Sequence, residues 1–162
     1  KDVYTPPRGN LSKNNNIILS GIKPGNWQAH LSKHESSWIF GPSSKMLHKL
    51  LKEFSIYPYF TNFYKSFYDE SSHKLSPILN EITVIAGIYK LIYKQNDLKI
   101  ICLGSYSEYD SLKNRLEIDD KILSLNMNIT LHKIWHPSYL LRSYSDEKFA
   151  MWKENLKIIL AS

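Results

Sequence analysis

The chain has 162 residues, enough for one domain with one hydrophobic core. Its 43% apolar content excludes global disorder, and its apolar runs are too short and too interrupted to cross a bilayer. Lys and Arg outnumber Asp and Glu by 21 to 15, giving a formal charge of +6 and a mild bias toward polyanions.

The first residues, Lys1 to Asn16, are polar and carry Pro6-Pro7 and the run Asn14-Asn15-Asn16, the composition of an irregular arm ending in a turn. Ile17 to Ser20 reads as a buried strand running into Gly21-Ile22-Lys23-Pro24-Gly25. Gly25 to Ile39 has no periodicity and reads as a long loop holding His30, His34 and Glu35. Pro42 stands where a helix can begin, and Met46, Leu47, Leu50, Leu51 and Phe54 recur at helical spacing over Ser43 to Phe54. Ile56 to Asn62 reads as a second strand entered through Pro58, followed by a polar loop from Tyr64 to Lys74.

Ser76-Pro77 is a cap for a long helix to about Asn96, with Ile78, Ile82, Ile85, Tyr89 and Ile92 on one stripe. Lys99 to Leu103 is a third strand ending in Gly104-Ser105, and Tyr109, Leu112 and Leu116 mark a short helix. Ile129 to Trp135 is a fourth strand, followed by His136-Pro137-Ser138. Ser145, with Asp146 and Glu147 behind it, starts a last helix whose Phe149, Trp152, Leu156 and Leu160 share a face.

Strands separated by helices predict a three-layer α/β/α fold around a mostly parallel four-stranded sheet, one domain over residues 1–162 with 1–16 as the arm. No leader of charged then apolar residues opens the chain. Cys102, the lone cysteine, lies in the run I-I-C-L and reads as a core residue, so no internal disulfide forms and an intracellular, reducing compartment is expected.

In a parallel sheet the loops at Gly21, Thr61-Asn62, Gly104 and His136 all emerge on one side. Each alone is ordinary turn chemistry. Together they resemble the uracil-DNA glycosylase superfamily, nearest the branch that usually carries an iron–sulfur cluster. The resemblance rests on Gly-x-x-Pro-Gly at Gly21 to Gly25, F-G-P-S-S-K-M-L-H-K-L-L from Phe40, Thr61-Asn62 with Lys65, Leu103-Gly104, and H-P-S-Y-L-L-R from His136 to Arg142. Order and approximate spacing agree over residues 17 to 160.

The resemblance implies a DNA glycosylase that removes uracil or a related deaminated base, and DNA holding such a base is the partner it implies. Gly21, Ile22, Pro24 and Gly25 would floor the pocket, Phe40 would stack on the extruded base, and Asn62 would read its edge, since an amide offers both a donor and an acceptor. His136 would donate to the oxygen that gathers charge as the base leaves. Ser43, Ser44, Gly104, Ser105 and Ser138 would hold phosphates, with charge from Lys65 and Arg142. Tyr139, Leu140 and Leu141 stand where a wedge would fill the vacated stack.

Two departures qualify these expectations. An iron–sulfur cluster of that branch takes four cysteines and this chain has one, so the residues do not fit it, and no cofactor or metal is expected. Lys23 stands where several branches have an Asp or Asn that orients the attacking water. It would serve as a phosphate contact, or, if desolvated, as a nucleophile on the sugar. Glu35 and His34 are alternative water-activating groups. Two other functions fit the same sequence: a non-catalytic DNA or base binder, and a small-molecule nucleotide or nucleoside protein. For the glycosylase reading, a monomer away from membranes is expected.

Overall fold

The computed structural model describes residues 9–22, 42–64, 75–104, 106–142 and 145–162. Four parallel strands form one sheet in the order β2-β1-β3-β4: β1 is Ile17–Gly21, β2 Tyr59–Asn62, β3 Asp97–Leu103 and β4 Asn128–Ile134. Helix α1 (Pro42–Glu53) connects β1 to β2, and α2 (Ser76–Leu91) connects β2 to β3. Helices α3 (Tyr106–Ile118) and α4 (Asp120–Ser124) lead to β4, followed by α5 (Pro137–Arg142) and α6 (Asp146–Ala161).

Alternation along the strands divides the core in two. Ile18, Ile100 and Cys102 face Ile78, Ile82, Ile85 and Tyr89 of α2, Leu112 of α3 and Ile122 of α4. Leu19, Ile101, Leu103 and Ile134 face Leu47, Leu50 and Leu51 of α1, Leu140 of α5 and Trp152, Leu156 and Ile159 of α6. The result is the expected three-layer α/β/α arrangement. Cys102 is a core residue, 1% exposed, and burial pushes its thiol up to about 12. Among the described residues, no helix is long and apolar enough to cross a membrane.

Several boundaries differ from expectation. β2 begins at Tyr59, not Ile56. Ser55 has a left-handed φ of 54°, the Ile56 N–H turns back to the Leu51 carbonyl at 3.1 Å, and Pro58 has no N–H for a ladder. Helix α2 stops at Leu91, short of Asn96, where the Tyr93 and Gln95 N–H groups return to the Ile88 and Tyr89 carbonyls and Lys94 turns left-handed at φ 58°. Its N-cap is Leu75, with no side-chain cap, so Ser76 lies inside the first turn. Ser145 does cap α6, its Oγ accepting from the Lys148 N–H at 3.1 Å. The sequence reading did not anticipate α4 and α5.

Candidate functional site

Register brings the strand ends into one row. Asn62 pairs with Gly21, and Leu103 pairs with Ile134. Ser20 pairs with Cys102, which sets Gly21 beside Leu103. The ladder continues past the ends, with Phe63 N–H donating to Gly21 O at 2.9 Å, Tyr64 N–H to Ile22 O at 2.8 Å, and Gly104 N–H to Ile134 O at 2.9 Å. From β2 to β4 the row spans ~14 Å, three strand spacings.

The centre of this row is a topological switch point. The chain leaves β1 toward β2 through α1 on one face of the sheet, and leaves β3 toward β4 through α3 on the other. The connections diverge between β1 and β3, opening a crevice beyond their carboxyl ends, where ligands of such sheets bind. His136 meets the crevice at Gly104. A Cβ placed on Gly104 would lie 3.5 Å from the His136 Cβ and 3.8 Å from Ile22 Cδ1. There is room for that atom, so the glycine is explained by its left-handed φ of 94°.

His136 is held in one state. It precedes α5, and its Nδ1 accepts the Ser138 N–H at 3.0 Å, as a side-chain oxygen does at an N-cap. The Ser138 hydroxyl lies 2.8 Å from the same Nδ1. With Nδ1 an acceptor, the proton sits on Nε2, which is left to donate. Burial, and then the nearby Arg142 charge, hold the imidazole pKa below the usual histidine value. The site therefore offers a neutral donor near pH 7. Pro137 supplies the fixed φ of a first helical position.

Asn62 is buried at 6% exposure, at the end of the strand that also carries Phe60. The next residues back are held from the other face. Glu81 of α2 accepts Thr61 Oγ1–H at 2.6 Å and Tyr59 O–H at 2.9 Å. Burial and then this carboxylate push the Tyr59 phenol well above its usual range. Sequence reasoning missed Glu81. The signal was its standing as the one carboxylate in S-P-I-L-N-E-I-T-V-I-A-G-I-Y-K-L.

The remaining expected site residues are distributed as follows. Ser138 and Arg142 lie on α5 with His136 at its start, and Arg142 is exposed. Tyr139 packs on Trp135 with ring centroids 4.9 Å apart, and Lys148 Nζ lies 4.8 Å over its ring, neither of which the sequence suggested. Leu141 is 42% exposed, whereas Leu140 is fully buried against α1 and α6. The helical turn of α5 sends Leu140 inward, so it is a core residue here and not part of a wedge. Ser43 is half-buried and Ser44 buried on the first turn of α1, a helix that packs against α5. Lys23, Pro24, Gly25, His34, Glu35, Phe40, Lys65 and Ser105 lie outside the described residues.

A parallel sheet with a switch-point crevice, a buried amide at one end and a neutral imidazole donor beside Gly104 defines an α/β protein with a candidate ligand site beyond its strand ends. A profile of the uracil DNA glycosylase superfamily matches residues 8–159, and the chain belongs to that superfamily. A search of curated proteins finds no match.

Proposed function

We propose that this chain is a DNA glycosylase that hydrolyses the N-glycosidic bond of uracil or a related deaminated base. The observation that carries the proposal is His136, neutral, with its proton on Nε2, beside Gly104 at the switch point.

The roles follow from the chemistry. The target base is extruded from the duplex, at a cost of about a few kcal/mol. Phe40 stacks on it, and the Asn62 amide pairs with its N–H and C=O edge. The bond from sugar C1′ to the base nitrogen breaks, and its electron pair leaves with the base. Negative charge gathers on the ring oxygens, where the His136 Nε2–H donates. A neutral donor stabilises this charge without bringing a second unpaired ion into the pocket. Water adds to C1′ and gives up a proton to Glu35 or His34. Glu35 or His34 takes the water-orienting role that Lys23 cannot perform while protonated. Ser138, Arg142 and the start of α1 meet the phosphates, and Tyr139 with Leu141 faces the vacated stack.

The test is release of free base from oligonucleotides carrying uracil, hypoxanthine, xanthine or a thymine mismatch. Inactivity on all of them rejects the proposal. Lys23 favours a second reading, a protein that binds the base but does not cleave. Salt-dependent binding of uracil-containing DNA without release selects that reading. Acquisition of activity by Lys23→Asp would then identify the missing group.

A further inference from the structure

A second concave site lies at the opposite pole of the sheet. It opens beside the amino ends of β1 and β2, between residues 9–15, the last turn of α1 and the turn at 55–58, and has a volume of about 790 Å³. The length of β1, ~17 Å, separates it from the switch-point crevice. Among the described residues, none of those at the crevice lines it.

The walls of this cavity are held from outside. Gly9 has a left-handed φ of 108°, and a Cβ there would come within 2.8 Å of the Pro58 carbonyl oxygen, so only glycine lets segment 9–15 close on the 55–58 turn. From the far side, Tyr93 O–H donates to Leu11 O at 3.2 Å and Gln95 Nε2–H to Lys13 O at 2.8 Å. Tyr89 O–H donates to Asn15 O, and Asn15 Nδ2–H donates to Tyr57 O. These bonds within the protein fix the segment against the fold, so the wall of the site is preformed.

Its lining is chemically sorted. Ile17, Leu51 and Phe60 give an apolar floor, with His48 edge-on to Phe60 at 5.0 Å between centroids. At the mouth are the amides of Asn10 and Asn14, the Tyr57 ring at 70% exposure, and Lys52. Among the described residues, Lys52 has no acidic partner and no carboxylate lines the cavity. A cation finds no counter-charge there, whereas an anion does. A flat ring has an aromatic surface to stack on and two amides that match both donor and acceptor edges.

We propose that this cavity is a second ligand site, for a mononucleotide: a planar heterocycle stacked on Tyr57, its edge on Asn10 and Asn14, its phosphate on Lys52. The volume lies in the ~300–1,000 Å³ range of small-molecule sites. The site uses none of the groups assigned to base excision, so it stands or falls apart from the glycosylase proposal. The same chemistry is carried by a free nucleotide and by the phosphorylated end of a single strand.

The test is a nuclear magnetic resonance titration of the whole chain with adenosine and uridine 5′-monophosphates, with adenosine and inorganic phosphate as partial ligands. The nucleotides should shift the side-chain amide signals of Asn10 and Asn14 and the Tyr57 ring, and each partial ligand should bind more weakly. Lys52→Glu and Tyr57→Ala, both on exposed side chains, should each weaken binding about tenfold, from loss of a charge-assisted contact and of stacking. Tighter binding of a 5′-phosphorylated trinucleotide assigns the site to a strand end, and equal or weaker binding assigns it to free nucleotide. Shifts absent at millimolar nucleotide, or confined to Ile22, Asn62 and His136, overturn the proposal. So does an affinity unchanged in both variants.

Discussion

His136 caps α5 and is the proposed donor to the leaving base, and two substitutions separate the two roles. Its Nδ1 caps α5 through the Ser138 N–H at 3.0 Å, while its Nε2–H is the proposed donor to the leaving base. Alanine removes both. Asparagine, a favoured N-cap residue, keeps an acceptor near the Nδ1 position, but its amide does not reach where Nε2 lies. Loss of one preorganised donor costs about 2.7–4 kcal/mol of transition-state stabilisation, roughly 10²–10³ in rate. Loss of an N-cap costs about 1 kcal/mol of stability. His136→Asn should therefore keep a urea midpoint near that of the parent while single-turnover base release falls about a hundredfold or more. His136→Ala should lose the same rate and in addition about 1 kcal/mol of stability. A His136→Asn rate within about threefold of the parent, far short of the loss expected for one donor, would refute the donor assignment. Equal stability of the alanine and parent proteins would refute the capping role.

Glu81→Ala should destabilise the fold by about 1–3 kcal/mol, because it removes the acceptor of the part-buried Thr61 and Tyr59 hydroxyl hydrogen bonds, and Glu81→Gln should recover part of that loss in the same urea titration. If the pair also holds Asn62 in place, the alanine variant should raise KM for uracil-containing DNA more than it lowers kcat. Gly104→Ala should cost about 1–2 kcal/mol through its φ of 94° and not through collision, readable as a lower thermal midpoint. The fold should lose stability as pH falls below about 6.5, the usual histidine value, because burial lowers the pKa of His136 and His132 in the folded state. Below that value the unfolded chain takes up protons that the folded chain resists, so stability is complete above it and drains away as pH drops through the lowered folded values. Urea midpoints from pH 7.5 to 5 check the sign, and His136→Asn should flatten part of the slope.

The fold was legible wherever one physical signal dominated. Apolar spacing alone located α1, α2 and α6, and the short apolar runs located the four strands, since each is buried by one or both faces of the sheet. Element ends were less legible because backbone bonds that no pattern records decide them, as at Lys94 and Ser55. Helix α5 was hidden because Pro137–Arg142 is six residues, fewer than two turns and too few for a period to show, and the inward turn of Leu140 was hidden with it. The juxtaposition of Asn62, Gly21, Gly104 and His136 was inferable from four strands ending in turn residues, once the strands were parallel. The tautomer of His136 was not inferable, because it depends on one N–H of Ser138 pointing back along the chain. Segment 9–15 read as an irregular arm, and its pairing with Tyr89, Tyr93 and Gln95 joins residues about eighty positions apart.

Strand polarity explains why chemistry and anchorage separate in this molecule. At the carboxyl edge, the last carbonyls of β1 and β4 are already paired to a neighbour, Gly21 O to the Phe63 N–H and Ile134 O to the Gly104 N–H. Those pairings absorb backbone polar groups that would otherwise compete for the proposed base, and leave its recognition to side chains. Burial then sets the charge state of the imidazole. A cationic donor would also attract the leaving base, but closing the pocket would require stripping its hydration, a penalty that a neutral donor largely avoids. The helical cap fixes which nitrogen carries the proton, so recognition needs no rearrangement at the moment charge develops. Fold, capping and burial thus converge on one N–H, and under the proposed function a substitution that moves that N–H should lower the rate of base release.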